Sequence, residues 1–306
     1  MKTTLKITDH LGKPLHAIRW LPEDKPRGIV LIVHGLAEHS ERYNHFAKYL
    51  TGQGLLTIAY DHRGHGLTDP DQLGFISEKD GFDLLVWNLY DVIQFIEENY
   101  PNLPVFLFSH SMGSFITQRF MQIYDYKPDG IIYSGSNGRP PLLLHAGIAI
   151  SAFIKKLYGT DHKSFFLERL SFGAYNRHFK PNRTNSDWLS RDTDMVDLYM
   201  DDPYCGFISS ASLYHQLFLG IRQIHSHRPF ADHDRSIPIL LLSGTDDPVS
   251  NMGKGFHNLI RILQRDGITN LTTKHYENGR HEMVNELNRN EVFADILTWI
   301  NNTLKD

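Results

Sequence analysis

A chain of 306 residues can hold one large α/β domain or a core carrying an inserted segment, and its 41% hydrophobic and 22% charged side chains exclude a disordered polymer. The formal net charge of -4, from 31 basic and 35 acidic side chains, gives no electrostatic reason to expect nucleic acid as a partner. The single cysteine, Cys205, excludes an internal disulfide and points to a reducing, cytoplasmic setting, in which a lone thiol reads as a small buried hydrophobe.

The N-terminal MKTTLKITDH lacks the apolar core of a secretory signal. GIVLIVHG, Gly28 to Gly35, reads as a buried strand ending in a glycine turn. Ser40 caps a helix running through Leu50, which Gly52 and Gly54 end. A strand follows at Leu55 to Tyr60. The next helix covers about Phe82 to Asn99, with Leu85, Leu89, Val92 and Ile96 on one face and Pro101 stopping it. Val105–Phe108 and Gly130–Ser134 are short β-prone runs. From Ser136 to Ser236 no clear strand appears, and the apolar stretches have helix length. The longest, Leu142 to Ile154, is broken by His145 and Ser151 and falls short of the roughly 20 residues that cross a bilayer. The strand-helix rhythm then resumes with a strand at Ile237–Gly244, a helix over about Asn251–Asp266, a strand at Asn270–Glu277 and a helix over about Glu286–Thr303.

Alternating strands and helices imply a mostly parallel sheet flanked by helices. The last strands have no sheet of their own, so they must join the first ones. Residues 1–135 and 237–306 are therefore expected to form one α/β core, interrupted by a helical insertion at 136–236.

FLFSHSMGS, Phe106 to Ser114, carries the chemistry: a strand runs through Ser-His-Ser-Met-Gly directly into a helix. A serine at such a turn projects its hydroxyl above the sheet edge, and the helix N-terminus behind it favours a developing oxyanion. The turn packs closely and needs small residues two before and two after Ser111. These are Ser109, in place of the usual first glycine, and Gly113. A serine hydroxyl needs a base. Among 18 histidines, His281 in ENGRHEM is singled out by its place after the last strand and before the last helix, at the same sheet edge. LLLSGTDDPVS, after the preceding strand, offers two carboxylates to orient it, Asp246 and Asp247. The chain order Ser, Asp, His is that expected at such an elbow. Oxyanion donors are expected at the backbone N–H groups of Met112, directly after the nucleophile, and Leu36, in the turn after the first core strand.

HGLAEHSERY, AYDHRGHGLT, HSMGS, DDPYCGF, GTDDPVS and GRHEM, in this order, resemble the monoglyceride lipase and lysophospholipase branch of the α/β hydrolases over nearly the whole chain. The resemblance implies the α/β-hydrolase fold with a helical cap at 136–236, Ser111, Asp247 and His281 as catalytic residues, and no cofactor. It also implies hydrolysis of monoacyl lipid esters, with a lysophospholipid or a short-chain ester as alternatives. Glu38 and Arg42 fall near the substrate head group, and the apolar helix from about Pro141 to Leu157 becomes a lipid-facing wall that can touch a membrane surface.

Plainer readings compete at several positions. Glu38 and Arg42, four residues apart, also fit a surface helix pair. The cap helix also fits ordinary core packing. His34, His39, His45, His62 and His65 cluster in sequence, but the family-like turns explain them and no metal is expected. DHRGHG, Asp61 to Gly66, reads as a turn bracing the site's floor. A dehalogenase or epoxide hydrolase of this fold would want an aspartate at position 111. An aminopeptidase would need acidic cap residues to grip a free amine, and a non-catalytic receptor would have no reason to keep all three catalytic residues.

Overall fold

The computed structural model describes residues 1–138, 143–226 and 235–304. Its frame is an eight-stranded sheet in the order β1-β2-β4-β3-β5-β6-β7-β8, where β1 is Lys2–Thr8, β2 Pro14–Trp20, β3 Ile29–Val33, β4 Leu56–Tyr60, β5 Val105–His110, β6 Gly130–Ser134, β7 Ile239–Gly244 and β8 Leu271–Tyr276. β1 and β2 are antiparallel and β2 pairs antiparallel with β4, while every pairing from β4 to β8 is parallel. The expected parallel core is thus present, and β7 and β8 join it after the helical stretch. The hairpin β1–β2 has no counterpart in the reading of the sequence. KTTLKIT is an edge strand whose residues are mostly exposed, so no apolar run announces it.

The central strands are buried along their whole length because helices cover both faces. Side chains alternate between two cores. Val30, Ile32, Phe106 and Phe108 pack with Phe46 of α1 (Asn44–Gly52) and with Phe293, Ile296 and Trp299 of α9 (Arg289–Thr303). Ile29, Leu31, Val33 and Leu107 pack with α2 (Gly81–Asn99), α3 (Met112–Ile123) and α8 (Lys254–Arg265). α2 carries Leu85, Leu89, Val92 and Ile96 on its buried face, as their spacing predicts.

Between β6 and β7 the described chain is helical: α4 (Leu143–Tyr158), α5 (Phe165–Phe172), α6 (Thr193–Asp201) and α7 (Ala211–Ser226), with one isolated bridge, Lys163 to Ser210. Pro141 and Leu142, expected at the start of the apolar helix, lie outside the described residues. α4 and α7 pack together, and α7 also touches α2 and α3. No helix among the described residues is long and apolar enough to cross a membrane.

β3 is followed in sequence by β4 on one side and flanked by β5 on the other. At such a switch point the loops after neighbouring strands diverge and leave a crevice at the carboxyl ends. The turns after β3 and β5, which hold Leu36 and Ser111, meet there.

Candidate active site

Ser111 occupies the turn between β5 and α3 with φ 48° and ψ −117°. A non-glycine residue there costs about 1–3 kcal/mol, so the surrounding packing must enforce it. Ser111 N–H donates to the Ser134 carbonyl of β6, and its own carbonyl accepts from Ser114 N–H and Ser114 Oγ. Gly113 is required by close approach, since a Cβ there would overlap the Val33 carbonyl oxygen. At the other small position, Ser109 is fully buried and its hydroxyl meets Thr117 Oγ1 at 2.7 Å.

His281 lies on the loop after β8, buried, with Nδ1 3.1 Å from Oδ1 of Asp247. Asp247 is fully buried and also accepts the Val249 N–H, which fixes its carboxylate. Asp246 is only half-buried and pairs with Thr245 Oγ1 instead. The structure therefore brings Asp247, not Asp246, to the histidine. Burial disfavours the imidazolium, but the Asp247 charge and hydrogen bond outweigh it, and His281 is raised above its ordinary pKa of 6.5. Its neighbour His110, with ring centroids 4.7 Å apart, is pushed down to about 4 by burial and by the charge of His281. His110 therefore stays neutral beside a base that must accept a proton.

The His281 loop is clasped by residues 187–191. Glu282 N–H donates to the Leu189 carbonyl, Arg280 donates to the carbonyls of Asp187 and Ser190, and the Trp188 ring lies 5.3 Å from that of His281. A cavity of about 70 Å³ lies over these residues, lined by Leu36, Ser111, His281, Glu168, Trp188 and Phe207 among others. The amides of Leu36 and Met112 have no protein acceptor among the described residues.

The turn carrying Leu36 is held by a buried ionic network. Glu38 Oε1 accepts from Gly35 N–H at 2.6 Å and from the Tyr43 hydroxyl at 2.8 Å, while Oε2 accepts from Arg42 at 3.0 Å. Arg42 also makes two 2.6 Å bonds to Glu282 and lies over the Tyr199 ring. Burial would raise the Glu282 pKa, yet the Arg42 charge holds it well below the usual carboxylate range. Of the two readings of Glu38 and Arg42, the surface pair is corrected in one respect: the two do pair four residues apart, but both side chains are buried. Glu38 lines the cavity, but Arg42 does not, its guanidinium being occupied by two carboxylates. Glu282 was invisible as a partner because it lies 240 residues away.

Asp61 braces the floor, as DHRGHG suggests. Its carboxylate accepts the amides of Ser40 and Leu67 and meets His16. His34 has Nδ1 against the Gly35 carbonyl and Nε2 taking the His62 N–H, so both ring nitrogens serve backbone. Burial pushes His62 down to about 3 and His65 to about 4, so both are neutral.

Sequence reasoning missed Glu168. Its carboxylate lines the cavity from α5, takes a hydrogen bond from the Tyr214 hydroxyl and is raised by burial. Its only signal in the sequence is an acidic residue inside an apolar helix, FFLERLSF.

Residues 24–288 match the family described as serine aminopeptidase, S33. The chain belongs to this family of α/β hydrolases. It is 28% identical over 296 residues to monoglyceride lipase of Rattus norvegicus, spanning 96% of this chain and 88% of the relative. It is 26% identical to monoacylglycerol lipase of Mycolicibacterium smegmatis, with 92% and 90% of the two chains covered. Among solved structures, a thermostable carboxyl esterase from Bacillus coagulans, in complex with glycerol, superposes with a TM-score of 0.88 and 29% identity, covering 99% of each chain. The family and this similarity agree with the α/β-hydrolase fold expected from the sequence.

Proposed function

We propose that the chain is a carboxylic ester hydrolase that cleaves monoacylglycerols through an acyl-enzyme on Ser111. The observation that carries this reading is the hydrogen-bonded Asp247–His281 pair facing the cavity into which the strained Ser111 turn opens. His281 removes the Ser111 proton as Oγ attacks the ester carbonyl, and Asp247 holds the Nδ1–H tautomer and stabilises the imidazolium. The amides of Leu36 and Met112 receive the oxyanion. The proton then passes from His281 to the leaving glycerol oxygen, and water repeats the cycle to release the fatty acid. No cofactor enters these steps.

The monoacylglycerol assignment rests on the relatives' activities and on the cavity's chemistry. Glu168 and Glu38 offer acceptors for glycerol hydroxyls, while Arg42 acts through Glu38 and Glu282 by bracing the turn. Residues 136–236 act as a cap over the site. Leu143, Phe153 and Leu157 of α4 and Phe165 and Phe166 of α5 are each at least half exposed, which suits peripheral contact with a lipid surface. A second reading, release of an N-terminal amino acid, is favoured by Glu168, whose carboxylate has no cationic partner among the described residues and is placed to grip a free amine.

Product release from a panel of a long monoacylglycerol, a lysophosphatidylcholine, a short-chain ester and an aminoacyl amide tests the proposal, with Ser111→Ala as control. Fatty acid released from the monoacylglycerol and abolished by the substitution is the expected result. Activity confined to the short ester overturns the lipid assignment, and activity confined to the amide selects the second reading.

A further inference from the structure

We propose that His39, Asp202 and Cys205 form a binding site for one borderline-soft divalent cation of the Zn²⁺ type, which clamps the segment after α6 onto the turn that carries Leu36. The three side chains come from places far apart in sequence, yet a ring nitrogen, a carboxylate oxygen and the Sγ all lie within 4.8 Å of one another. His39 and Cys205 are buried, and Asp202 is half-buried.

The geometry is close to that of a tetrahedral site. His39 Nε2 and Asp202 Oδ2 are 2.9 Å apart. Metal–nitrogen and metal–oxygen bonds of ~2.0–2.2 Å place such atoms ~3.3 Å apart in a tetrahedron, so an ion takes the place of the shared proton with a shift of a few tenths of an ångström. A metal–sulfur bond of ~2.3 Å sets sulfur and nitrogen ~3.6 Å apart, so the thiol need move by no more than about 1.2 Å. On ligation the Cys205 proton leaves to solvent, as a coordinating thiol is deprotonated.

The ligands are also held from behind. Asp202 Oδ1 accepts the Tyr204 N–H at 2.8 Å, leaving Oδ2, which faces His39 Nε2, as the ligand atom, and Cys205 N–H donates to the Asp202 carbonyl at 3.0 Å. One turn thus presents Asp and Cys with two residues between them, a chelating spacing. Gly206 N–H then donates to the Ala37 carbonyl at 3.0 Å, next to Leu36. An ion joining His39 to this turn closes a loop that the Gly206–Ala37 bond already begins.

Charge and access agree. Buried Glu38 and Glu282 share one guanidinium, that of Arg42, so the region carries no surplus positive charge to repel a cation. A surface cleft lined by Lys2, His16, His39, Glu41, Asp201 and Asp202 reaches two of the three ligands; the charge of Lys2 is taken up by Glu41, which leaves Asp201 and Asp202 to attract a cation. The 27% exposure of the Asp202 side chain leaves room for a water as fourth ligand. A nitrogen, oxygen and sulfur donor set selects Zn²⁺ or Co²⁺ over Mg²⁺ and Ca²⁺. The sequence cluster of histidines gave no hint of this arrangement, since His39 acts apart from His34, His62 and His65.

The test titrates the folded full chain, freed of metal by a chelator, with Co²⁺. Because Cys205 is the only cysteine, a cobalt–thiolate charge-transfer band reports this site alone. The expected result is a single equivalent of Co²⁺ with that band, displaced by Zn²⁺ and not by Mg²⁺. Cys205→Ser abolishes the band, and His39→Gln and Asp202→Asn each weaken Co²⁺ binding by at least ~10-fold. Zn²⁺ slows amide exchange at Gly206 in the wild type and not in Cys205→Ser. No thiolate band, or equal Co²⁺ affinity in all three variants and the wild type, overturns the proposal. If Cys205→Ser fails to fold, as judged by far-ultraviolet circular dichroism, Asp202→Asn at its half-exposed position decides the matter by the loss or persistence of affinity.

Discussion

Arg42→Met separates a bracing role for Arg42 from a substrate-binding one. Arg42 is the cation for two buried carboxylates, with its side chain 7% exposed and those of Glu38 and Glu282 at 4% and 5%. Methionine roughly keeps the volume but removes three charge-assisted hydrogen bonds at once. Among the described residues Glu282 retains only the Asn285 side chain at 2.9 Å, and Glu38 retains the Gly35 amide and the Tyr43 hydroxyl. Breaking a buried ion pair from one side typically costs ~3–5 kcal/mol, because a charge is left uncompensated. At ~2–4 °C per kcal/mol for a large domain, Tm should fall by roughly 6–20 °C. The loss must also depend on pH. In the wild type the depressed pKa of Glu282 contributes stability that is present above the unfolded value of 4.5 and lost as pH falls toward the native pKa. In the variant burial is opposed only by the Asn285 hydrogen bond and by His110, and it raises that pKa, so the carboxylate destabilises most where it must ionise. The gap in Tm between the two proteins should therefore be widest near neutral pH and narrow as pH approaches 4.5. Differential scanning calorimetry across that range measures it. An unchanged Tm together with a raised KM for monoacylglycerol would refute the bracing role and make Arg42 a ligand of the head group.

Three further outcomes are expected. Asp247→Ala should lower kcat by about 10⁴-fold while Asp246→Ala remains largely active, with fatty-acid release as the readout, and the reverse ranking would overturn the assignment. The acid limb of kcat/KM should lie above 6.5, because catalysis needs neutral His281 and its pKa is raised; Asp247→Asn should move that limb to lower pH. Gly35→Ala should lower kcat by ~10²–10³-fold without removing any reacting group, since the new Cβ would lie 2.8 Å from Glu38 Oε1 and 3.2 Å from Ser111 Cβ, displacing the oxyanion turn.

The parallel strands from β3 to β7 were legible because each is a short, fully buried run, such as IVLIV of β3 and GIIYS of β6, flanked by glycine or proline. The elbow was legible because its chemistry is local: strand, serine and helix occupy adjacent positions. His281 followed from its place after β8, whereas the place after β7 left Asp246 and Asp247 open and only the family resemblance singled out Asp247. What stayed hidden are the partners that topology alone brings together. Arg42 and Glu282 are 240 residues apart, and His39 and Asp202 are 163 apart. The i,i+4 rule offered Glu38 and Arg42 a complete explanation as a surface pair, and nothing nearby in the sequence contradicted it. Glu168 was missed for a related reason: its meaning depends on how α5 turns toward the cavity.

The serine at position 109 bears on how this protein can be engineered. Substituting residues toward a family consensus is a common route to thermostability. Here that logic would replace Ser109 with glycine, and the hydroxyl of Thr117, fully buried on α3, would lose the partner it meets at 2.7 Å. A buried orphaned hydroxyl costs about 1–3 kcal/mol, and glycine in a strand adds to that. Ser109 and Thr117 are best treated as a unit, inherited or exchanged together, so a back-to-consensus change at one of them alone should weaken the very turn it is meant to perfect.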